Sequence, residues 1–261
     1  MSLSDKTIAN SYKDVLQIDN SNSGMGTSTK TIKSGNGTSS AVQISDDQFQ
    51  VIPQNDDTTA TFTVLSKGGT SLLNVDSTNS TVKANGNHLN SQVQRFLLSH
   101  VTAKPSVTDT WTSLWISGGR TPATAPITGG TGSSPSTSFS ITTDAFDYVA
   151  TYFYLPIDIT IDKVQVLFAS DADTGDTVKF SIMAYDVDIA NGSTCGNLSN
   201  GAEICVSPSA LATDGQEQMR YQQLTVSTAN VDAGKVIVAF VSQDGTNSDL
   251  GVNMHMLYHY R

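Results

Sequence analysis

Between Ala60 and Gly86 the chain reads ATFTVLSKGGTSLLNVDSTNSTVKANG, in which Thr61 to Leu65 and Leu72 to Asp76 alternate apolar with polar side chains. A period of two is the mark of a strand with one face turned to a core. Lys67-Gly68-Gly69 and Ser77 to Ser80 supply turn residues after each run. A strand pair this lean in apolar residues is marginal in water, so the pattern predicts that Phe62, Val64, Leu72, Val75 and Val82 find their burial against other copies of the chain.

The flanking segments continue the pattern. Ile8, Tyr12, Val15 and Leu16 fit a short helical stripe or an extended segment, whereas Val42, Ile44, Phe49 and Val51 alternate as strand residues around an Asp46-Asp47 turn, with Pro53 closing the run. His88 to Val101 fits either a helical stripe or a strand face, and residues 106 to 117 alternate with Trp111 and Trp115 in phase; strands are expected for both. Residues 118–138, GGRTPATAPITGGTGSSPSTS, read as a loop: either a surface linker or an exposed contact loop carrying Arg120, Thr121 and Thr124.

From Phe139 onward strands are expected at Phe139 to Ile141, Tyr148 to Tyr154, Ile159 to Ser170, Thr177 to Asp186, Gln222 to Ser227, Lys235 to Ser242 and Val252 to Tyr260. Seven or eight strands at such spacing predict a β-sandwich of jelly-roll type. Val236 to Val241 does not alternate, as a central strand buried on both faces would not. The fold class expected is all-β: an extended strand-rich stem over residues 59–90, followed by a sandwich head over residues 91–261.

Phe62, Val64, Gly69, Leu72, Val75, Asp76, Val82 and Gly86 form a unit that resembles one found in phage tail-fibre and head-fibre proteins. The segments Asp5 to Gln17 and Gly35 to Ser45 are likewise similar to the N-terminal region of fibre-like virion proteins. The resemblance covers about the first third of the chain. It implies a homotrimeric, non-enzymatic virion structural protein made in the host cytoplasm. Residues 1–58 would attach it to other virion proteins, residues 59–90 would form an intertwined stem, and the head would point outward, decorating the particle or touching a host-surface glycan. Two other readings stay open: an adhesin that recognises glycan, and a fibre-borne polysaccharide depolymerase.

Composition narrows the partners. Charged residues make up 15% of the chain and the net charge is −10, which disfavours nucleic acid and anionic membrane surfaces, since both are recognised by clustered Lys and Arg. No run of 18 apolar residues occurs, and the start MSLSDKTIANSYK lacks the basic and apolar regions of a signal peptide, so neither membrane insertion nor export by that route is expected. Cys195 and Cys205 lie in one turn-rich segment, as two independent thiols or as a disulfide stapling a loop; zinc lacks two further ligands nearby.

Candidate chemistry is sparse. Asp171, Asp173 and Asp176 around Gly175 are spaced as calcium ligands, with Asp186 and Asp188 as possible additions, but the spacing departs from the calcium loop of helical sensors and equally suits a solvated hairpin turn. His255 and His259 share a strand face, His88 and His100 stand outside any motif, and no pair of acids is singled out for sugar cleavage. Gly129-Gly130-Thr131-Gly132 lacks the Lys and helix of a phosphate loop. Phe146, Tyr148, Tyr152, Phe153 and Tyr154 suit sugar stacking or subunit contact, with core packing the plainer role. No catalytic residue and no cofactor are expected.

Overall fold

The computed structural model describes residues 15–21, 23–98, 109–116, 127–140, 148–170, 177–190, 194–207, 211–212, 218–244 and 250–261. Every sheet in them is antiparallel, and the chain divides into two units, Met1–Leu89 and Asn90–Arg261. The division falls next to the expected boundary between stem and head.

Unit 1 consists of two four-stranded meanders. The first runs through β1 (Leu16–Ile18), β2 (Lys30–Ser34), β3 (Ser39–Ile44) and β4 (Phe49–Val51). The second runs through β5 (Phe62–Leu65), β6 (Ser71–Asp76), β7 (Thr81–Ala84) and β8 (Asn87–His88). Asp46-Asp47 turns the chain between β3 and β4 as expected, placing Val42 opposite Val51 and Ile44 opposite Phe49. Asn85 and Gly86 join β7 to β8 with both φ angles positive, 49° and 81°. That is the turn whose twist matches paired strands, and Asn-Gly is the sequence that adopts it most readily. Of the helical stripe, Leu16 opens a strand, while Ile8 and Tyr12 lie outside the described residues.

Unit 2 comprises β9 (Ser91–Leu98), β10 (Thr112–Ser113), β11 (Phe153–Tyr154), β12 (Ile159–Ser170), β13 (Thr177–Val187), β14 (Leu198–Val206), β15 (Leu211–Ala212), β16 (Gln218–Leu224), β17 (Asn230–Val231), β18 (Lys235–Gln243) and β19 (Leu250–Tyr260). One sheet has the order β16-β12-β19-β9, the other β10-β18-β13-β14. Val164, Val166, Met254, Met256 and Phe96 from the first sheet and Phe180, Ile182, Ala239 and Val241 from the second belong to one buried cluster, so the two sheets face each other across a shared core. The alternation along β12 and β13 produces this face, since apolar side chains two residues apart point the same way.

A second cluster lies on the other side of the β10-β18-β13-β14 sheet. Trp111, Met183, Tyr185, Val238 and Phe240 are its buried members, with Phe139 and Tyr152 packed against it. The covering strip is residues 127–140, made of the latter half of the segment expected to be a loop, 127–138, and the start of the strand expected at Phe139. Trp111 donates its indole N–H to the Gly132 carbonyl at 2.9 Å, Tyr185 its hydroxyl to the Ser136 carbonyl at 2.8 Å, and Ser134 hydrogen-bonds Glu203 at 2.7 Å. Gly129 passes so close that a Cβ there would meet Trp111 Cβ at 2.9 Å. The strip is held down by these partners and by Ile127 and Phe139 at its two ends, and the small residues between them allow close backbone approach. β18 is consequently buried on both faces, as its unbroken apolar run predicts.

Several boundaries differ from expectation. Residues 106–117 do not form one strand: only Thr112–Ser113 pair with β18, while Trp115 exchanges backbone hydrogen bonds with Leu97 of the other sheet. The chain crosses between layers within three residues, so Trp111 and Trp115 fall in different clusters and out of phase. Tyr148 to Tyr154 is a turn closed by Thr151 N–H on the Tyr148 carbonyl, with only Phe153–Tyr154 in a strand. Phe139 makes a single bridge to Leu198. The strand β14 was not expected at all, because it begins with the turn-like Leu198-Ser199-Asn200-Gly201 and carries two register shifts against β13.

Candidate assembly surface

The second meander brings the fibre-like residues together. Phe62, Val75 and Val82 stand opposite one another across three strands, and Val64, Leu73 and Ala84 form the next row. Side chains facing each other across a ladder share a face, as do residues two apart, so these six make one apolar face. Thr63, Asn74 and Lys83 form the opposite row. Leu72 belongs with that polar face, because it is adjacent in sequence to Leu73; of the five expected stem-core residues it is the one the register sends the other way. Leu73 was overlooked, and the signal lies in the register shift between Val64 and Leu65, which strict alternation from Thr61 does not anticipate.

None of this face is buried. Phe62 is 38% exposed, Val64 41% and Val82 39%, and Phe49 in the first meander reaches 65%. Among the described residues of unit 1, the buried positions are Gly35, Ser45 and Asp76, none a large apolar side chain. Among the described residues of unit 1 the strands pair within the one chain, and what they leave undone is the burial of large apolar side chains. Local hydrogen bonds hold the turns: Asp76 accepts from the backbone N–H of Asn79 at 2.9 Å and from its side-chain amide at 2.7 Å. The Asn79 contacts hold the Asp76 carboxyl below its ordinary range.

The residues singled out for chemistry in unit 2 are otherwise engaged. Asp186 is hydrogen-bonded by Lys235 and Asn200, which hold its carboxyl low, and Asp188 caps a turn by accepting from Thr194 at 2.6 Å and from the Ala190 N–H at 2.9 Å. Asp171, Asp173 and Asp176, and the contact-loop residues Arg120, Thr121 and Thr124, lie outside the described residues, as do Phe146 and His100. Cys195 and Cys205 are not joined. Cys195 is exposed, whereas Cys205 is fully buried among apolar neighbours that push its thiol up to about 12. His255 and His259 do share the outer face of β19; His255 contacts Asn253 at 2.9 Å, and buried His259 contacts both Asp162 oxygens at 3.0 Å. Burial, aided by the Arg95 charge, holds His255 below its ordinary value. Of the aromatics, Phe153 packs on Tyr258 with ring centroids 5.7 Å apart, Tyr152 joins the second cluster and Tyr154 is exposed.

No protein-family model matches the chain, and no curated protein matches it. The most coherent surface in unit 1 is the apolar face of the second meander, whose chemistry suits packing against another apolar face.

Proposed function

We propose that the protein is a non-enzymatic structural component of a phage particle, a homotrimeric fibre or decoration protein. Unit 1 assembles and attaches it, and the sandwich is presented outward. One observation carries this reading: unit 1 buries no large apolar side chain among the described residues, and leaves Phe49, Phe62, Val64 and Val82 exposed. Exposed apolar patches of this kind mark association surfaces. A closed ring of copies would cover them without leaving an open edge. Three is the number that the resemblance to fibre proteins implies.

The sandwich supports a jelly-roll reading of unit 2. Counting its eight main strands β9, β10, β12, β13, β14, β16, β18 and β19 from one to eight, the sheets run 6-3-8-1 and 2-7-4-5. That order is produced by rolling a long hairpin of strands into two sheets, the architecture of many viral shell and lectin domains. Attachment to other virion proteins through unit 1, and contact of the outward unit with a host-surface glycan, belong to the same proposal.

The test is the mass of the full chain in solution by light scattering at micromolar concentration. A value three times the 27.6 kDa chain mass is expected, and replacing Phe62 and Val64 together by Ser is expected to lower it. A single-chain mass for the unaltered protein overturns the reading.

A further inference from the structure

The two outer faces of the sandwich are treated differently by the chain. The β10-β18-β13-β14 sheet is roofed by residues 127–140 and buries a second cluster beneath them. The outer face of the β16-β12-β19-β9 sheet has no such roof among the described residues. Register places Tyr221, Leu167, Asn253 and Leu97 in one row across its four strands, and Lys163, Leu257 and Val93 in another. Between them run Gln223, Gln165, His255 and Arg95. Tyr221 is 58% exposed, Val93 57% and Met219, beside them, 70%. A shallow groove at one end is lined by Leu98, Leu167, Met219 and Asn253.

We propose that this face packs against the same face region of further copies of the chain, so that the sandwiches contact one another as well as the stems. The inference rests on the assembly reading of unit 1 and extends it to the head. Three observations single out a second copy as the occupant. The three rows carry no carboxylate although the chain has a net charge of −10, and they present Tyr221 and Arg95, types enriched at interfaces, where acids are depleted. The strand at one edge, β9, starts two residues after unit 1 ends, so copies gathered by unit 1 bring their β9 strands to high local concentration. The patch is also the right size for a tethered contact. Four strands about 4.8 Å apart and about seven residues long give roughly 19 by 23 Å, about 440 Å² in projection, below the roughly 800 Å² per partner of a free-standing interface.

The test uses the full-length chain with Cys195→Ser, leaving buried Cys205 as a silent thiol. Single cysteines are introduced as Tyr221→Cys and Val93→Cys, on opposite edges of the face, and as Ile157→Cys, which at 49% is less exposed than either. Maleimide labelling is timed, and the mass of each variant is read by light scattering. Labelling of the face cysteines at least about tenfold slower than at Ile157→Cys in the assembled protein, with the rates converging in denaturant, is expected; loss of assembly on face substitution alone supports the same contact. Equal rates in an assembled protein overturn the head contact, leave the stem reading standing, and open the face to another occupant such as glycan. A single-chain mass for the Cys195→Ser parent overturns both.

Discussion

Unit 1 and unit 2 are made of the same material, antiparallel strands with alternating side chains and polar turns, yet among the described residues only unit 2 buries an apolar core. In unit 2 each alternating strand finds a second layer: Phe180 from one sheet meets Phe168 from the other with ring centroids 5.1 Å apart, both buried. In unit 1 the same alternation yields Phe62, Val75 and Val82 in a row that the described residues of the unit leave half-buried or exposed. Local pattern and turn chemistry suffice to define strands and register, whereas stability comes from what covers the apolar face.

The sharpest way to break the comparison is to cut the same side chain in both units. Phe180→Ala removes a fully buried ring and is expected to cost about 3–5 kcal/mol in urea unfolding of unit 2. Phe62→Ala removes a ring that is 38% exposed and is expected to change single-chain stability by less than about 0.5 kcal/mol while weakening assembly. A loss of several kcal/mol for Phe62→Ala at concentrations where the chain is single would mean that unit 1 has an interior of its own.

Glycines sharpen the contrast at smaller scale. A Cβ at Gly201 would lie 2.4 Å from Tyr185 Cε1 and 2.9 Å from Thr137 Cα, so Gly201→Ala must push the roofing strip off the sheet, at about 1–3 kcal/mol. Gly37 has open space around it and a φ of 86°, so Gly37→Ala suffers only from backbone strain, about 1 kcal/mol. Urea midpoints of the two variants separate packing from conformation.

The same physics decides how much could be read from residues alone. β12, β13, β18 and β19 were legible because long runs of alternating or continuous apolar residues have few alternatives, and the Val42 to Val51 hairpin because its turn is marked. β14 was not, since Ser199-Asn200-Gly201 looks like a turn and Gly201 is there to let Tyr185 in. Residues 127–140 read as free loop for a related reason: small residues that permit backbone to lie on a sheet are the same ones that fill mobile segments. Trp111 and Trp115 misled through their spacing, because a crossing between layers reverses which face a side chain meets. The site followed suit. Phe62, Val64, Val75 and Val82 share a face, whereas Leu72 is out of phase with Leu73 and Val75 and points the other way, a consequence of period two that a Leu-Leu pair hides.

The smallest expected effect concerns protons. Asp186 sits where β13, β14 and β18 meet, and hydrogen bonds from Lys235 and Asn200 hold its carboxyl below the ordinary 3.8. A carboxyl lowered in the folded state contributes stability that is present above the unfolded value and is lost as pH falls through the folded one. The pair is partly exposed, with 45% of the Asp186 side chain open to solvent, so screening limits the contribution to about 0.2–1 kcal/mol. Asp186→Asn is therefore expected to lower the urea midpoint of unit 2 slightly near pH 7, with the difference from the unaltered protein shrinking as the pH falls through the lowered Asp186 value. Asp76 is lowered in the same direction, chiefly by its hydrogen bonds from Asn79 within one turn of unit 1, with smaller help from Lys83 and the Thr78 backbone. Acid should therefore loosen the 76–79 turn without unfolding unit 2, visible as a lower amide-exchange protection factor at Asn79 once the pH falls through the lowered Asp76 value. If instead the Asp186→Asn difference persists unchanged at pH 2, the carboxylate charge is not what ties those three strands together.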